Sequence, residues 1–284
     1  MSRSYSTKKV PSRAKMPTMA SFTKTVWGYY NKHRRSFPWR ENTSIYSVVV
    51  SEIMLQQTQA PRVIEKYNAF LTAFPDFQSL AHAPLRDVLA LWKGLGYNRR
   101  ALQLKKLADM VNSSAFPHDR EALMELPGIG PNTAGSIMAF AFNTPQAFIE
   151  TNIRTVFIHF FFNITRGKID DKKILKLVEA SLVGRNHTNP REWFYALMDY
   201  GVYLKKTFPN PSRKSKHHVK QSPFKGSNRE LRATILQSIV ETPRTRQEII
   251  KHIKRKPSEI DKNLSALESE GFIIKKDRLY RIVA

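Results

Sequence analysis

Apolar residues recur every three to four positions through most of the first two thirds of the chain, a spacing typical of amphipathic helices. The pattern predicts a first helix over 21–34, with Phe22 facing inward, and a second over 44–57, with Ser44 as its cap residue. Further helices are predicted over 61–74, 85–93, 99–112, 120–125, 133–142, 153–162, 172–182 and 190–205. Because no alternating strand pattern competes with these helices, residues 21–208 are predicted to form one all-α domain.

The composition changes over 209–227 to proline, serine, lysine, arginine and histidine, which predicts a basic linker. The segment after it, 228–284, is predicted to form three helices followed by a two-stranded hairpin around Lys276-Asp277-Arg278. The predicted helices are 229–241, 246–253 and 257–270, and the predicted strands are 272–275 and 279–283. This order of elements resembles a small winged helix-turn-helix module.

The chain has 47 lysines and arginines against 23 aspartates and glutamates, a formal net charge of +24. A compact protein with such an excess usually binds a polyanion, because each cation placed against a phosphate releases condensed counterions. Nucleic acid is the expected partner, and an anionic membrane and a merely solvated surface are the alternatives. Residues 1–20 contain no acid and are interpreted as a disordered basic arm, with an organellar transit peptide as the alternative.

The chain contains no cysteine, which excludes disulfides, cysteine nucleophiles, thiolate zinc sites and cysteine-held iron–sulfur clusters. No apolar run has the length of a transmembrane helix, and the first residues lack the apolar stretch of a signal peptide. We therefore expect no membrane partner. The protein is expected to be a monomer in the cytoplasm and nucleoid, or in the nucleus or an organelle of a eukaryote.

A glycine turn separates two of the predicted helices, in Leu126-Pro127-Gly128-Ile129-Gly130-Pro131-Asn132-Thr133-Ala134. Glycine at both positions allows the backbone to turn sharply and to approach a partner closely. The second helix, predicted to open at Thr133, presents unpaired N–H groups and a positive dipole end. A phosphate is the expected occupant, and such a contact reads no base sequence. An ordinary tight corner between two helices is the alternative.

The second candidate site lies in Ser51-Glu52-Ile53-Met54-Leu55-Gln56-Gln57-Thr58-Gln59. Glu52 falls on the apolar stripe of its helix, and burial raises the pKa of a carboxyl group, which suits a general acid near neutral pH. A glutamate at the edge of the core is the alternative. Gln56 and Gln57 are uncharged and close to the helix end, so they are candidates to replace the hydrogen bonds of an extruded base. The alternative is a solvated helix terminus.

Together these segments resemble the helix–hairpin–helix–GPD superfamily of DNA glycosylases, and within it the adenine-removing, MutY-type enzymes, over residues 21–208. Such a set of motifs in this order is hard to obtain by chance. The motifs are Phe37-Pro38-Trp39-Arg40, Ser51 to Gln59, Trp92-Lys93-Gly94-Leu95-Gly96-Tyr97, Leu126 to Gly135, and Met198-Asp199-Tyr200-Gly201. The resemblance implies a bilobal helical enzyme that flips a base out of mismatched or lesion-bearing double-stranded DNA and hydrolyses its N-glycosidic bond.

The resemblance also assigns roles to matched positions. Glu52 protonates the departing base, Glu150 takes the place of the acid that stabilises the cationic sugar, and Asn152 belongs to the same catalytic region. The pocket positions are Trp39, Arg40, Asn132 and Asp199. The expected DNA contacts are Gln56, Gln57, Tyr97 (as a wedge, with a core aromatic as the alternative), Gly128, Gly130, Asn132, Thr133, Lys205 and Lys206. The hairpin is expected to hold Na⁺ or K⁺ through the backbone carbonyls of Met124, Leu126 and Ile129, with no other cofactor.

The sequence departs from the family pattern in four ways. Glu150 replaces the usual aspartate; it caps a helix less well, and displacing its charge by about an ångström predicts a lower rate or a different substrate. Asn132 stands where bifunctional relatives have the lysine that forms a Schiff base, so we predict a monofunctional enzyme that leaves an abasic site. The cysteines of the family's iron–sulfur cluster are missing. The domain that recognises 8-oxoguanine is missing too, and the C-terminal module stands in its place.

Three functions are compatible with these residues. The first is excision of adenine opposite 8-oxoguanine or guanine. The second is excision of another mispaired or damaged base, such as thymine or uracil opposite guanine or a deaminated purine. The third is a DNA-binding protein without catalysis. The C-terminal module is interpreted as additional DNA grip, because Lys254, Arg255 and Lys256 give it a basic face; a protein-interaction or dimerising module is the alternative.

Overall fold

The computed structural model describes residues 16–219 and 222–284, and most of them are helical. This confirms the all-α class predicted for the first two thirds of the chain. The helices of that part are α1 (Met19–His33), α2 (Pro38–Glu41), α3 (Ile45–Leu55), α4 (Ala60–Ala73), α5 (Phe77–His82), α6 (Leu85–Trp92), α7 (Arg99–Asn112), α8 (Arg120–Met124), α9 (Pro131–Phe140), α10 (Thr151–Phe161), α11 (Asp171–Ser181), α12 (Arg185–Thr188) and α13 (Pro190–Thr207). A 3₁₀ turn follows at Pro211–Lys214.

Local sequence signals fix where two central helices begin. Ser44 caps α3 as predicted, since its hydroxyl accepts a hydrogen bond from the Ser47 N–H. Such a cap contributes about 1 kcal/mol because an amide of the first turn gains an acceptor. The helix after the glycine turn, α9, begins at Pro131 and not at Thr133, which corrects the prediction. Proline suits the first helical position because it has no N–H to leave unpaired and its φ already fits a helix.

The apolar periodicity misses the three short helices α2, α5 and α12. They contain only four to six residues each, so the three-to-four spacing has no room to repeat. The segment Phe37-Pro38-Trp39-Arg40, predicted as a break after the first helix, instead forms most of α2. Pro38 occupies its first position, for the reason given for Pro131.

The described residues form two compact units. The first comprises 16–34, Ile149–Asn186 and Glu192–His218. Its core is aromatic, and the side chain of Phe22, predicted to face inward, is fully buried there. The ring centroid of Phe22 lies 5.0 to 5.8 Å from those of Phe157, Phe160, Phe161 and Trp193. Tilted and edge-on pairs at such distances add to the stability gained by apolar burial.

The second unit comprises Arg35–Phe148, His187–Arg191 and Val219–Ala284. In its helical part, α3 contacts α4, α7 and α9 and is buried on nearly every side. A helix in such a position is apolar around its whole circumference. The buried side chains of α3 include Val48, Val49, Val50, Ile53 and Met54, which makes the carboxylate of Glu52 an exception in this helix.

The C-terminal module, residues 228–284, belongs to this second unit. It contains α14 (Asn228–Glu241), β1 (Arg244–Thr245), α15 (Arg246–His252), α16 (Pro257–Ser269), β2 (Ile273–Lys276) and β3 (Leu279–Ile282). The antiparallel sheet has the order β1–β3–β2. Asp277 and Arg278 make a two-residue turn with φ of 51° and 65°, as type I′ hairpin turns require. The hairpin lies where the sequence predicts it, β1 is an addition of two residues, and a winged-helix identity stays a prediction.

Parts of the predicted arm and of the predicted linker fall within the described residues. Most of the predicted arm, 1–20, falls on residues 1–15, which lie outside the described residues, while Met19 and Ala20 belong to α1. Within the predicted linker, 209–227, Ser215 forms a parallel bridge with Ile169.

Among the described helices, none combines the length and the apolar character that crossing a membrane requires.

Gly201 of α13 permits close contact with the start of α10. A Cβ atom at this position would lie 2.5 Å from the backbone oxygen and 2.7 Å from the Cβ of Asn152. We predict that Gly201→Ala lowers the free energy of unfolding by about 2 kcal/mol, because the backbone atoms of α10 cannot yield without moving the helix. Urea denaturation measures the change.

The control for this substitution is Gly28→Ala in α1 of the same unit, where an added Cβ meets no atom within 4 Å. Alanine there is expected to raise the free energy of unfolding by about 0.5 to 1 kcal/mol, because it is the better helix former. Equal effects of the two substitutions would contradict the contact at Gly201.

Candidate active site

Glu52 lies in the last full turn of α3. Its side chain is partly exposed, while the neighbouring Ser51 and Ile53 are buried. Glu52 thus lies on the apolar side of the helix, as predicted, but at the border of the core. A carboxyl group at this border is partly shielded from water and still accessible.

The C-terminal end of α3 is held by Arg100, a residue that the sequence analysis does not single out. Its Nη1 donates to the carbonyl oxygens of Ile53, Met54 and Gln56 at 2.9, 2.8 and 2.5 Å. Its Nη2 donates to Thr58 Oγ1 at 3.0 Å and to the carbonyls of Leu95 and Gly96 at 3.1 and 2.9 Å. One guanidinium therefore connects the end of the helix that carries Glu52 with the turn before Tyr97.

Arg100 is only 8% exposed, so its charge depends on these acceptors. A cation at the C-terminal end of a helix is stabilised by the partial negative charge of the last carbonyls. Burial lowers the pKa of Arg100 to about 10, which still leaves it protonated at neutral pH. A signal for it exists in the sequence, because Arg100 falls on the stripe of Leu104, Leu107 and Val111 that α7 buries.

Two non-glycine residues next to this guanidinium have left-handed backbone conformations. Gln57, directly after α3, has φ of 57°, and Tyr97 has φ of 49°. Such conformations cost about 1 kcal/mol or more, and they cluster at functional sites, where the surrounding structure imposes them. The glycines Gly94 and Gly96 supply the other positive φ values of the second turn, 96° and 74°.

The glycine turn between α8 and α9 is tied to the end of α3. Gln56 Nε2 donates to the carbonyl of Gly128 and to Thr133 Oγ1, both at 3.2 Å. Gly128 has φ of 83°, and a Cβ there would lie 3.0 Å from Gln103, so this position requires glycine. The predicted DNA contact Gln56 therefore holds the hairpin in this structure, while Gln57 is exposed.

The rest of the hairpin carries further residues whose contacts with DNA stay predictions. Gly130 is the N-cap of α9, and Asn132 lies exposed in the first turn. Of the three predicted cation ligands, the Leu126 carbonyl accepts a hydrogen bond from the Ile129 N–H at 3.1 Å. Among the described residues, no group of three or more acidic or histidine side chains is arranged to hold a metal ion.

A large cavity of about 1180 Å³ opens beside these elements in the second unit. It brings together four of the predicted DNA contacts, since Gln56, Gln57, Tyr97 and Gly128 line it, as does Arg100. Other residues of the helical part, Ser222 and Phe224, and residues of the C-terminal module form the rest of its wall. Glu52 is not among the residues that line this cavity.

Trp39 and Arg40, predicted to line the base pocket, are 6% and 7% exposed. The ring of Trp39 stacks on Phe37 with 4.9 Å between centroids and meets Tyr67 edge-on at 5.5 Å. Arg40 Nη1 donates to the carbonyl of Arg35 at 2.8 Å. Both side chains are thus packed inside the second unit, and their contact with a base stays a prediction.

The remaining predicted residues belong to the first unit. Glu150 is the N-cap of α10, and its Oε1 accepts a hydrogen bond from the Asn152 N–H at 2.9 Å. The longer side chain therefore caps the helix that aspartate would cap. Asn152 Oδ1 is buried without a hydrogen-bond partner among the described residues. Asp199 is 2% exposed, and Lys205 and Lys206 lie in the last turn of α13.

These observations define a helix–hairpin–helix fold, in which a glycine turn is fixed against the helix of a partly buried glutamate. The sequence comparison agrees with this fold. Residues 50–181 match the HhH-GPD superfamily of base excision DNA repair proteins. The resemblance seen in the motifs is confirmed over these residues.

Similar proteins include enzymes with two base specificities. An adenine DNA glycosylase of Buchnera aphidicola subsp. Baizongia pistaciae (strain Bp) is 34% identical over 192 residues, which are 66% of this chain and 54% of that protein. A thymine/uracil-DNA glycosylase of Methanothermobacter thermautotrophicus is 29% identical over 188 residues, 64% of this chain and 84% of that protein. This chain spans about half the length of the adenine glycosylases it matches.

The solved structures agree with this assignment. A thermostable thymine-DNA glycosylase shares 26% sequence identity with this chain at a TM-score of 0.58, over 70% of this chain and 92% of that one. A non-covalent endonuclease III–DNA complex, 18% identical with a TM-score of 0.51, shares the fold.

Arg100 allows a direct test of how the site is held together. We predict that Arg100→Lys lowers the free energy of unfolding by about 3 kcal/mol, because an ammonium has three donors and cannot serve both the end of α3 and the turn at Gly96. The matched control is Arg99→Lys, which alters an exposed neighbour. Chemical denaturation of both variants measures the difference, and equal stabilities would contradict the role given to Arg100.

Proposed function

We propose that this protein is a monofunctional DNA glycosylase of base excision repair that removes adenine opposite 8-oxoguanine or guanine. The observation that carries the proposal is the arrangement at the end of α3. There, Arg100 and Gln56 fix the helix of Glu52, the turn of Tyr97 and the glycine hairpin to one another. A catalytic acid on a rigid element beside a DNA-binding turn is what base excision requires.

The hairpin and the net charge support duplex DNA as the substrate. The exposed glycines Gly128 and Gly130 let a phosphate approach the backbone, and the first turn of α9 directs its amides outward. A net charge of +24 adds a contact that is independent of sequence. The matched family model and the similar glycosylases agree with this choice of partner.

Glu52 is proposed to supply the proton. In the proposed reaction its carboxyl group gives a proton to a ring nitrogen of the everted base while the C1′–N bond breaks and the electron pair leaves with the base. The sugar becomes an oxocarbenium ion. Its partial exposure at the border of the core lets an extruded base reach Glu52.

Glu150 is proposed to stabilise the oxocarbenium ion, the second part of the two-carboxylate chemistry known from glycoside hydrolysis. One of its oxygens is fixed by the Asn152 N–H, which limits the freedom that the added methylene brings. Water then supplies hydroxide to C1′, and its remaining proton returns to the enzyme. The products are the free base and an abasic site.

Asn132 supports the proposed lack of strand cleavage. An amide forms no Schiff base with C1′, so the phosphodiester backbone stays intact until alkali is added. We also propose that a Na⁺ or K⁺ ion binds to the carbonyls of Met124, Leu126 and Ile129. Such an ion would add positive charge beside the phosphate contact of the hairpin.

A second specificity is favoured by the comparisons. The thymine/uracil-DNA glycosylase relative and the solved thymine-DNA glycosylase match this chain over 84% and 92% of their lengths. Removal of thymine or uracil opposite guanine is therefore the second candidate function.

The catalytic assignment predicts the effect of Glu52→Gln. This substitution keeps the shape and removes the proton, so we expect single-turnover excision to fall by about 100-fold or more, while DNA binding is retained. The control is Glu65→Gln, an exposed glutamate on the neighbouring α4. Excision by Glu52→Gln at the wild-type rate would exclude Glu52 as the acid.

The substrate assignment predicts the outcome with a panel of duplexes. We expect product from adenine opposite 8-oxoguanine or guanine, and strand breaks to appear after alkali treatment alone, because Asn132 offers no amine. Electrophoresis of labelled strands with and without alkali measures both properties. Cleavage confined to thymine or uracil opposite guanine selects the second candidate, and breaks without alkali contradict the monofunctional assignment.

A further inference from the structure

The C-terminal module is fastened to the helical part of its unit at the end of α14. Arg86 of α6 donates from Nε to the carbonyl of Val240 at 2.7 Å and from Nη2 to that of Glu241 at 3.2 Å. Lys93 forms an ion pair with the Glu241 carboxylate at 3.7 Å. Cations at the C-terminal end of a helix are stabilised by its last carbonyls, so these contacts fix one end of α14.

The beginning of α14 is fastened to Tyr97. Arg229 Nη1 donates to the Tyr97 hydroxyl at 2.7 Å, and its guanidinium carbon lies 5.3 Å from the centre of the tyrosine ring. Nη2 of Arg229 donates to the carbonyl and the hydroxyl of Ser222 at 2.6 and 3.3 Å. Because Tyr97 is a predicted DNA contact, the first turn of α14 lies beside the predicted position of the duplex.

The next residue of α14, Glu230, connects this helix to the segment between α15 and α16. Its Oε2 lies 3.7 Å from Arg255 Nη2. Asn263 of α16 hydrogen-bonds to the first residue of α14 at 2.8 Å. Since Arg229 and Glu230 are consecutive, these contacts hold the segment that contains Arg255 close to Tyr97.

That segment is a basic turn, defined here as residues 251–256, which leads from the last turn of α15 to the start of α16. Four of its six residues are lysine or arginine, and none is acidic. Lys254, Arg255 and Lys256 are exposed. Of the cations in this turn, Arg255 alone forms an ion pair among the described residues. The lysine charges are therefore available to a polyanion.

The helix after the basic turn has the opposite character. In helix-turn-helix proteins the second helix of the motif enters the major groove. In this module that helix would be α16, whose exposed charged residues are Glu259, Lys262 and Glu268. A further acid of α16, Asp261, is paired with Arg246 at 2.6 Å. This excess of acid repels phosphates, so α16 is unsuited to enter a groove between them.

We propose that the basic turn binds backbone phosphates of the duplex on one side of the everted base, and that the module holds DNA without reading its sequence. The proposal rests on the proposed glycosylase function, which makes duplex DNA the substrate. A duplex that contacts Tyr97 is brought next to Arg229 and, through Glu230 and Arg255, to the exposed lysines. Contacts between lysine and phosphate add affinity and orientation and carry no base information.

The experiment measures the affinity of the full chain for a duplex with a tetrahydrofuran abasic analogue, at salt concentrations from about 50 to 200 mM. Lys254→Ala/Lys256→Ala removes two cations, and each phosphate contact contributes about 0.9 to the slope of log affinity against log salt. We expect this slope to become shallower by about two. The ratio of wild-type to variant affinity should therefore fall about tenfold over this range.

The matched control is Lys275→Ala/Lys276→Ala, which removes two exposed lysines from β2 of the same module. These lysines lie beside an acid, since the Lys275 N–H donates to Glu268 Oε1 at 3.2 Å. This control should change the slope clearly less. Lys254→Arg/Lys256→Arg keeps both charges and should retain the wild-type slope. Thermal unfolding shows whether each variant is folded.

Duplexes that are shortened on one side of the abasic analogue locate the contact. Removal of the flank that the basic turn binds should make the wild type and Lys254→Ala/Lys256→Ala bind alike. Removal of the other flank should preserve their difference. A change of base sequence in either flank, at constant length, should leave the affinity of both proteins unchanged.

Three results would overturn the proposal: a wild-type slope in Lys254→Ala/Lys256→Ala, an equal effect of the control on β2, or an affinity that follows the base sequence of a flank. The first is expected if the module binds a protein instead of DNA. Failure of the glycosylase function is recognised separately. In that case the wild-type protein would excise no base and bind the abasic-analogue duplex no more tightly than an unmodified one, on which the slopes are still measurable.

Discussion

The structure of the second unit depends on the buried guanidinium of Arg100. Its hydrogen-bond partners among the described residues include no carboxylate. The two terminal nitrogens of the Arg100 guanidinium donate to five backbone carbonyls and one hydroxyl, which replace the water that they lose, while its Nε is buried without a partner among the described residues. A charge in the interior is tolerated when its donors find such acceptors. Since those acceptors come from the end of α3 and from the turn before Tyr97, the two segments have a fixed relation. The left-handed conformations of Gln57 and Tyr97 follow from this constraint and are stabilised by it.

The parts of the site that could be predicted are those with a local signal. A few neighbouring residues are enough to recognise each of them: the glycines of the hairpin, Pro131 after them, and Glu52 in its apolar helix. Arg100 and Arg229 are different, because arginine is usually exposed and neither residue has a local partner. For Arg100 the position on the apolar stripe of α7 indicates that the side chain is buried. For Arg229 no such signal exists, since its partner Tyr97 lies 132 positions away in the sequence.

Gln56 and Glu150 occupy positions that match the family, and the structure shows the hydrogen bonds that each side chain makes there. Gln56 occupies a position expected to enter the duplex, but its amide hydrogen-bonds to Gly128 and Thr133 and holds the hairpin. Glu150, predicted to cap its helix less well than aspartate, accepts a hydrogen bond from the Asn152 N–H at 2.9 Å. In both cases the residue type is compatible with the family role, and the neighbours decide which hydrogen bonds form. Sequence similarity indicates which position a residue occupies in the fold, and the packing around that position decides which contacts its side chain makes.

The C-terminal module has a fixed orientation on the helical part of its unit. A domain joined by a chain segment alone would have no such orientation. Here α14 is anchored at both ends, by Arg86 on its last carbonyls and by Arg229 on Tyr97. The second anchor, Tyr97, is itself a predicted DNA contact. A duplex bound at Tyr97 would therefore also act on the module, and the position of the module would affect the conformation of Tyr97 in return.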